Sequence, residues 1–341
     1  MGFCLFHARR RPSPRISRSL RLWALPFLGP AMLLAAPAPS AAVTIDWVEI
    51  GNPGNPPDTA SNCYAADCGS VAYTYYISKY EVTNAQYTEF LNAKAAADPL
   101  GLYSIHMGSS SDWGGITRSG VSGSYTYTAK SGYESRPVAF VSFYDALRFT
   151  NWLSNGQGSG DTETGAYTIT LTGIENNSIT RNPGAITFLP NENEWYKAAY
   201  YSPSGVYFDY PTGTNTPTDC VTPASDTGNA ANCWPAYELG TFTSVGAYAL
   251  SDSPYGTFDQ GGNVQEWNEQ IAYTDGRGFR GGTSVLGVEL LAAAHNNMDP
   301  PDMEFEYGGF RVASLVPEPG TGLLVMLGML GLGVWRRRAA E

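Results

Sequence analysis

The chain has 341 residues, of which 43% are hydrophobic and 13% aromatic, which suffices for one large domain or two ordinary ones with a real core. Glycine (38), proline (23) and tyrosine (22) are abundant, while charged residues make up only 15%, so we expect much loop, short strands and few long surface helices. The formal net charge is −11. This acidic balance argues against nucleic acid and anionic lipid as partners.

The first 42 residues are typical of a secretory signal peptide. Six arginines precede the apolar run 22–36, and small residues occupy positions 40–42, as at the cleavage site that a signal peptidase recognises. We therefore predict export and cleavage after Ala42. A single N-terminal membrane anchor is the alternative, but the apolar run is short and is interrupted by Pro26 and Pro30.

Two β-like runs open the mature chain. Residues 43–51 ("VTIDWVEIG") alternate enough for a strand, and residues 71–82 ("VAYTYYISKYEV") are rich in branched and aromatic side chains. The stretch between them is a loop rich in proline, glycine and asparagine. We accordingly predict an N-terminal strand and disulfide loop over 43–70, followed by one main domain over 71–315.

Three helix starts are marked by a capping residue with a partner three positions later. They are Thr83 with Gln86, Ser142 with Asp145, and Asn191 with Glu194. Each follows a β-like run and precedes an apolar stripe. The intervening segments 101–135 and 154–185 are rich in Gly, Ser and Thr and are predicted as hairpins and loops. The predicted fold class is α+β, with short strands, about three short helices and much irregular loop.

Four cysteines follow the signal, and they form two pairs that are close in sequence: Cys63 with Cys68, and Cys220 with Cys233. In an oxidising compartment the simplest connectivity is these two loop disulfides, although four cysteines allow three pairings. A zinc site is the alternative. It is disfavoured because the mature chain has only His106 and His295 and lacks a CxxC motif.

The stretch "DQGGNVQEW" (259–267) places two carboxylates, Asp259 and Glu266, around two glycines and an asparagine. The chain can fold back there and point carboxylate and carbonyl oxygens at one centre, which is the ligand type that calcium prefers. The alternative is a structural turn that positions Trp267 in the core. The sequence therefore predicts either a calcium loop or a tryptophan-bearing turn.

The sequence gives little support for a catalytic site. Four acids are candidates for a glycoside-hydrolase pair, but nothing fixes their separation; they are Glu192, Glu194, Glu266 and Glu269. There is no GxSxG elbow, and "DQGGNV" lacks the lysine and hydroxyl residue of a phosphate loop.

The C-terminus combines Pro317-Glu318-Pro319, an apolar run over 321–335 and three terminal arginines. The run would be about 22 Å long as a helix, and the arginines would hold its end on the cytoplasmic side. Residues 316–341 resemble the PEP-CTERM sorting signal of exported bacterial proteins. The resemblance implies recognition by an exosortase and membrane contact through the tail, at least transiently. Residues 43–315, without signal and tail, contain 11 Lys and Arg and 29 Asp and Glu, which gives a net charge of −18.

Residues 75–314 resemble the formylglycine-generating enzyme, or sulfatase-modifying factor, domain. The matching stretches occur in the family's order: "YYISKYEVTNAQYTEFLN", "RPVAFVSFYDALRFTNWLS", "ITFLPNENEWYKAAYY", "GGNVQEW", "FRGGTS" and "GGFRVAS". The resemblance implies a variant of the C-type lectin-like fold. The three capped helix starts fall on the first three stretches.

The chain departs from the family at the copper site. Aligning the turn from Arg280 through Thr283 with the family's turn puts the two copper-binding cysteines at Leu286 and Leu291, and no cysteine follows Cys233. Leucine offers neither a ligand for copper(I) nor redox chemistry, so no copper is expected. The iron sulfoxide synthases that share this domain need histidines that are absent here.

The resemblance also implies calcium. The family's site falls on the Asp259 side chain, the carbonyls of Gly262 and Val264, and the Glu266 carboxylate. A second family site falls at Asn232-Cys233.

These observations favour an exported, calcium-stabilised, non-catalytic module that binds an unidentified surface glycan or protein. One alternative is a formylglycine-generating or related metal-dependent oxidoreductase with a rearranged centre, which would use the segment of Arg280, Thr283, Ser284, Glu289 and His295. Another is a structural matrix component without a specific small ligand.

Overall fold

The computed structural model describes residues 42–59, 67–235, 241–272 and 275–315. Most of the predicted signal peptide, Cys63 and the predicted sorting tail lie outside the described residues. Contacts group the described residues into one compact unit.

Five short helices are present in the described part of the chain: α1 (Asn84–Lys94), α2 (Ile105–Ser109), α3 (Phe143–Ser154), α4 (Leu171–Glu175) and α5 (Glu192–Tyr200). The three predicted helix starts are confirmed, each with a complete capping box at the expected residue. The helices α2 and α4 lie within segments 101–135 and 154–185, for which only hairpins and loops were predicted. Each has five residues, too few to show a helical period, and is capped by Ser104 or Thr170.

Twelve strands, nearly all short, are described: β1 (Trp47–Ile50), β2 (Tyr75–Ser78), β3 (Ile116–Ser119), β4 (Thr126–Ala129), β5 (Thr187–Phe188), β6 (Asp219–Cys220), β7 (Ala230–Ala231), β8 (Gln265–Ala272), β9 (Gly276–Arg280), β10 (Asn297–Asp299), β11 (Gly308–Phe310) and β12 (Ala313–Ser314). The α+β class predicted from the sequence is confirmed. The strands β3 and β4 form a hairpin, and β6 pairs with β7.

The first four-stranded sheet has the order β1-β2-β12-β5. Strand β1 pairs antiparallel with β2, with Trp47 opposite Ser78. The predicted N-terminal strand therefore belongs to the same sheet as the end of the domain, because β12 pairs with β2 from the other side.

The second four-stranded sheet has the order β10-β9-β8-β11. Strand β11 runs parallel to β8, with Phe310 opposite Trp267. The register between β8 and β9 shifts between Trp267 and Ile271. This pairing brings the end of "DQGGNVQEW" next to Arg311, which follows β11 directly.

Aromatic side chains fill the space between the helices and this second sheet. The Phe149 ring lies 5.5 Å from Phe90 and 5.3 Å from Phe310, centroid to centroid. Trp267 is fully buried against Phe279 at 4.2 Å, and its indole N–H donates to the Val141 carbonyl over 3.0 Å. The turn at 259–267 therefore does position a core tryptophan whose polar atom is satisfied.

Candidate functional site

The turn at 259–263 is tied to two other segments of the chain. Gly262 has φ +87° and donates its N–H to the Gly281 carbonyl over 2.8 Å. A Cβ on Gly262 would lie 2.4 Å from the Asn232 carbonyl oxygen, so the close approach requires glycine. The same carbonyl accepts the Asn263 N–H over 2.8 Å. The structure thus brings the two predicted calcium sites side by side.

Glu266 forms a fully buried ion pair with Arg311. The guanidinium donates to both carboxylate oxygens, from Nε to Oε2 over 2.6 Å and from Nη2 to Oε1 over 2.7 Å. The Trp195 indole N–H also donates to Oε2 over 2.7 Å. Both oxygens of Glu266 are therefore engaged within the protein.

Two more carboxylates face this ion pair. Glu81 is buried; its Oε1 accepts from the Asn263 amide over 3.1 Å, and its Oε2 has no hydrogen-bond partner among the described residues. Burial and the Asp259 carboxylate raise the pKa of Glu81 well above its ordinary value. Burial raises the pKa of Asp259 to about 6, and Glu266 adds to the shift. The Arg311 guanidinium acts in the opposite direction and lowers the pKa of both Glu81 and Asp259, so it stabilises their negative charge as well as that of Glu266.

The contacts of Glu266 do not fit it as a calcium ligand in this arrangement, because an ion would have to displace Arg311 and Trp195. Val264 is fully buried in the apolar core. Within the described ranges, no group of three or more His, Cys, Asp and Glu side chains is arranged to hold a metal ion. The set Asp259, Gly262, Val264 and Glu266 stays a prediction.

The predicted second site at Asn232-Cys233 lies beside a disulfide. Cys233 is bonded to Cys220, with the two Cα atoms 4.9 Å apart, which is one of the two pairs expected from the sequence. The Asn232 amide donates to the Asn263 side chain over 3.3 Å and to the Thr241 carbonyl over 3.1 Å. A calcium role for this pair also stays a prediction. Cys68 is disulfide-bonded as well, and its expected partner Cys63 lies outside the described residues.

Arg280 anchors the segment that was predicted to correspond to the family's copper site. Its guanidinium is buried, pairs with Glu192 and donates Nη1 to the Ala293 carbonyl over 2.9 Å. Leu291 is fully buried against Ala231 and Cys233. Its side chain packs in the core and provides no group that could bind copper.

The other half of that segment faces outward. Leu286 is half-buried, and its carbonyl accepts the Trp234 N–H over 2.9 Å. Trp234 is 51% exposed and Val285 is 42% exposed. Thr283, by contrast, is fully buried. Trp234 was not predicted as a surface residue, because a lone tryptophan in a loop carries no pattern that separates surface from core.

The four acids considered for glycoside hydrolysis are each paired with an arginine. The pairs are Glu192 with Arg280, Glu194 and Glu269 with Arg181, and Glu266 with Arg311. A general acid and a nucleophile need one carboxyl protonated and one free. These pairs are structural instead, so the geometry does not favour that chemistry.

A sequence profile described as "Sulfatase-modifying factor enzyme 1-like domain" matches residues 56–316, most of the chain. The chain belongs to this family. A second profile, the PEP-CTERM protein-sorting motif, matches residues 315–338 of this sulfatase-modifying-factor-like protein. That motif implies export and recognition by the exosortase machinery, with a C-terminal membrane anchor before processing.

Several solved structures are similar to this chain. The chain is similar to the protein in "Crystal Structure of CarF", with 22% identity and a TM-score of 0.52 over 80% of this chain and 98% of that one. Two others are Treponema denticola variable protein 1 (18% identity, TM-score 0.48, 80% and 95% covered) and PvdO from Pseudomonas aeruginosa (15%, 0.44, 80% and 93%). No curated protein matches the sequence. In the described residues, no helix has the length and apolar character needed to cross a membrane.

Proposed function

We propose that this exported sulfatase-modifying-factor-like domain is a non-catalytic module that binds a glycan or a protein of the bacterial surface or matrix. The copper chemistry of the family needs two thiolates, and the equivalent positions are Leu286 and Leu291. Leu291 packs in the core beside the disulfide, so this half of the segment stabilises the fold.

The observation that carries the proposal is the exposed apolar surface formed by Trp234, Val285 and Leu286. Exposed apolar side chains that lie together mark interaction sites, and aromatic side chains dominate the energetics of binding surfaces. The surface is firmly held, because Trp234 follows the Cys220–Cys233 disulfide and bridges to Gly287. A rigid aromatic anchor loses little entropy on binding.

A carboxylate lies beside this surface and narrows the class of ligand. A Cβ added at Gly287 would come within 2.4 Å of Glu289 Oε2, so the carboxylate lies over the residue that bridges to Trp234. An indole face next to a hydrogen-bond acceptor suits a sugar ring with free hydroxyl groups. The net charge of −18 for residues 43–315 favours a neutral glycan over an anionic one.

The test is retention of the exported protein by native matrix and by a glycan array. Trp234→Ala should weaken retention about tenfold or more, as for a buried aromatic anchor. Leu171→Ala is the matched control, because Leu171 is 79% exposed and lies on α4, outside this surface. Equal retention of wild type and Trp234→Ala would contradict the proposal.

The oxidoreductase alternative is tested on the same preparation. Metal analysis of the exported protein should find no stoichiometric copper or iron. A retained equivalent of either metal, together with oxygen uptake in the presence of a cysteine peptide, would replace the binding proposal with an enzymatic one.

A further inference from the structure

We propose that a pocket at the start of α5 binds one neutral sugar ring through its hydroxyl groups. The pocket has a volume of about 210 Å³, which is below the roughly 300–1,000 Å³ of sites for larger ligands and leaves room for one ring. It shares no residue with the surface formed by Trp234, Val285 and Leu286, so it is a second position. Every side chain in its lining is polar or charged, and the lining includes Arg181, Asn191, Glu192, Asn193, Glu269 and Gln270.

Three amide side chains of the pocket have their oxygen atoms engaged within the protein. The Asn191 Oδ1 atom accepts the Glu194 N–H over 2.9 Å, and the Asn193 Oδ1 atom accepts the Gly69 N–H over 3.0 Å. The Gln270 Oε1 atom accepts from a neighbouring asparagine amide over 3.1 Å. Each NH2 group keeps its two N–H donors for a ligand, with no acceptor among the described residues.

Two carboxylates add acceptors to the same pocket. Glu269 Oε2 accepts from Arg181 Nη2 over 2.8 Å, and Glu192 Oε2 accepts from the Asn268 amide over 2.9 Å. A carboxylate oxygen has two lone pairs, so each of these atoms can accept one more hydrogen bond. The pocket therefore offers donors and acceptors together. A hydroxyl group uses both, because it accepts one hydrogen bond and donates another.

The charged residues hold each other in place, so the pocket is formed before a ligand arrives. Arg181 donates from Nε to Glu269 over 2.9 Å and from Nη2 to Glu194 over 2.7 Å. The Cζ atom of Arg181 lies 3.4 Å from the centroid of the Phe188 ring, which fixes the plane of the guanidinium. Polar groups that are already oriented lose little entropy when a ligand binds.

An aromatic side chain lies beside the pocket. Tyr73 is 38% exposed, and its hydroxyl donates to the same Glu194 oxygen that accepts from Arg181. A tyrosine ring next to hydrogen-bonding groups suits a sugar, which combines apolar C–H faces with hydroxyls.

The charge of this group favours a neutral ligand over an anionic one. Arg181 is paired with two carboxylates, Glu194 and Glu269, which leaves the three side chains with one negative charge. That charge repels the carboxylate of an acidic sugar. The same pairing makes these acids poor catalysts but leaves their lone pairs available for binding.

The test is ligand-observed NMR of the exported protein with the methyl glycosides of glucose, galactose and mannose, each measured alone. We expect at least one of them to bind in the millimolar range, as for a ligand of a single ring, and glucuronate not to bind. Asn193→Asp and Gln270→Glu keep the oxygen that the protein uses and replace the free NH2 group by a carboxylate oxygen. Each should raise the Kd about tenfold or more, because a donor is lost and an acceptor faces the sugar oxygens. An acidic residue is favourable in the first turn of α5, so Asn193→Asp should keep the wild-type Tm.

Asn176→Asp is the matched control, because it adds the same charge at an exposed amide that does not line the pocket. Its Kd should equal that of wild type. Binding of none of the three glycosides would overturn the proposal, and so would wild-type affinity in both pocket variants. If wild type binds ethanolamine and none of the glycosides, the pocket is a cation site and the proposal is wrong. Matrix retention is a separate readout from monosaccharide binding, so failure of one proposal leaves the other to its own test.

Discussion

Replacing Arg311 by methionine removes the guanidinium that pairs with Glu266 and acts electrostatically on Glu81 and Asp259. Arg311 is fully buried and also donates to the Ser78 carbonyl over 3.0 Å and to the Phe258 carbonyl over 2.8 Å. Methionine keeps much of the side-chain volume but leaves the carboxylates without their internal cation. Breaking a buried ion pair by removing one partner costs about 3–5 kcal/mol. In a domain of this size that corresponds to a fall in Tm of roughly 6–20 °C.

The assay is urea unfolding of the exported protein followed by tryptophan fluorescence, with EDTA present throughout. Arg118→Met is the matched control, because Arg118 and Asp98 form a more exposed pair at 3.6 Å. Removing Arg118 should cost less stability than removing Arg311, because the Arg118 side chain is 28% exposed and water can replace it beside Asp98. If both variants lose the same stability, Arg311 does not neutralise the carboxylates and the account of this cluster fails.

Three further outcomes follow from the described contacts. Gly262→Ala should lower the free energy of unfolding by more than about 2 kcal/mol, because the added Cβ would clash with the Asn232 carbonyl. Gly54→Ala is the control: Gly54 also has a positive φ (+75°), but no atom lies near the added Cβ, so the cost should be only about 1 kcal/mol. Urea unfolding measures both. Reducing or replacing the Cys220–Cys233 disulfide should cost about 2–4 kcal/mol, measured as a shift of the unfolding midpoint. Burial lowers the pKa of Lys197 to about 8, so the folded state favours the neutral amine. Stability should rise as pH increases from about 8 toward 10, and Lys197→Met should abolish that rise in a pH series of melts.

The helices that carry local signals were predictable from the sequence. A capping box is complete within four residues. Thr83, Ser142 and Asn191 therefore predicted the starts of α1, α3 and α5 without any information from the rest of the chain. The one-turn helices α2 and α4 were missed because five residues show no period.

The charged cluster was not predictable in the same way. Asp259 and Glu266 are close in the chain and were therefore predicted to act together, but the partner of Glu266 is Arg311, 45 residues later. Glu81 meets Asn263 across 182 residues. Contacts of this kind are set by the parallel pairing of β8 with β11 and by the position of β2, which only the folded chain shows.

Leu291 connects the disulfide to the exposed surface. It packs beside the Cys220–Cys233 disulfide, and the 3₁₀ turn that it ends (Val288–Leu291) follows Gly287, which bridges to the exposed Trp234. Trp234 itself follows Cys233 directly. Packing at Leu291 therefore supports both segments that hold the exposed surface in place.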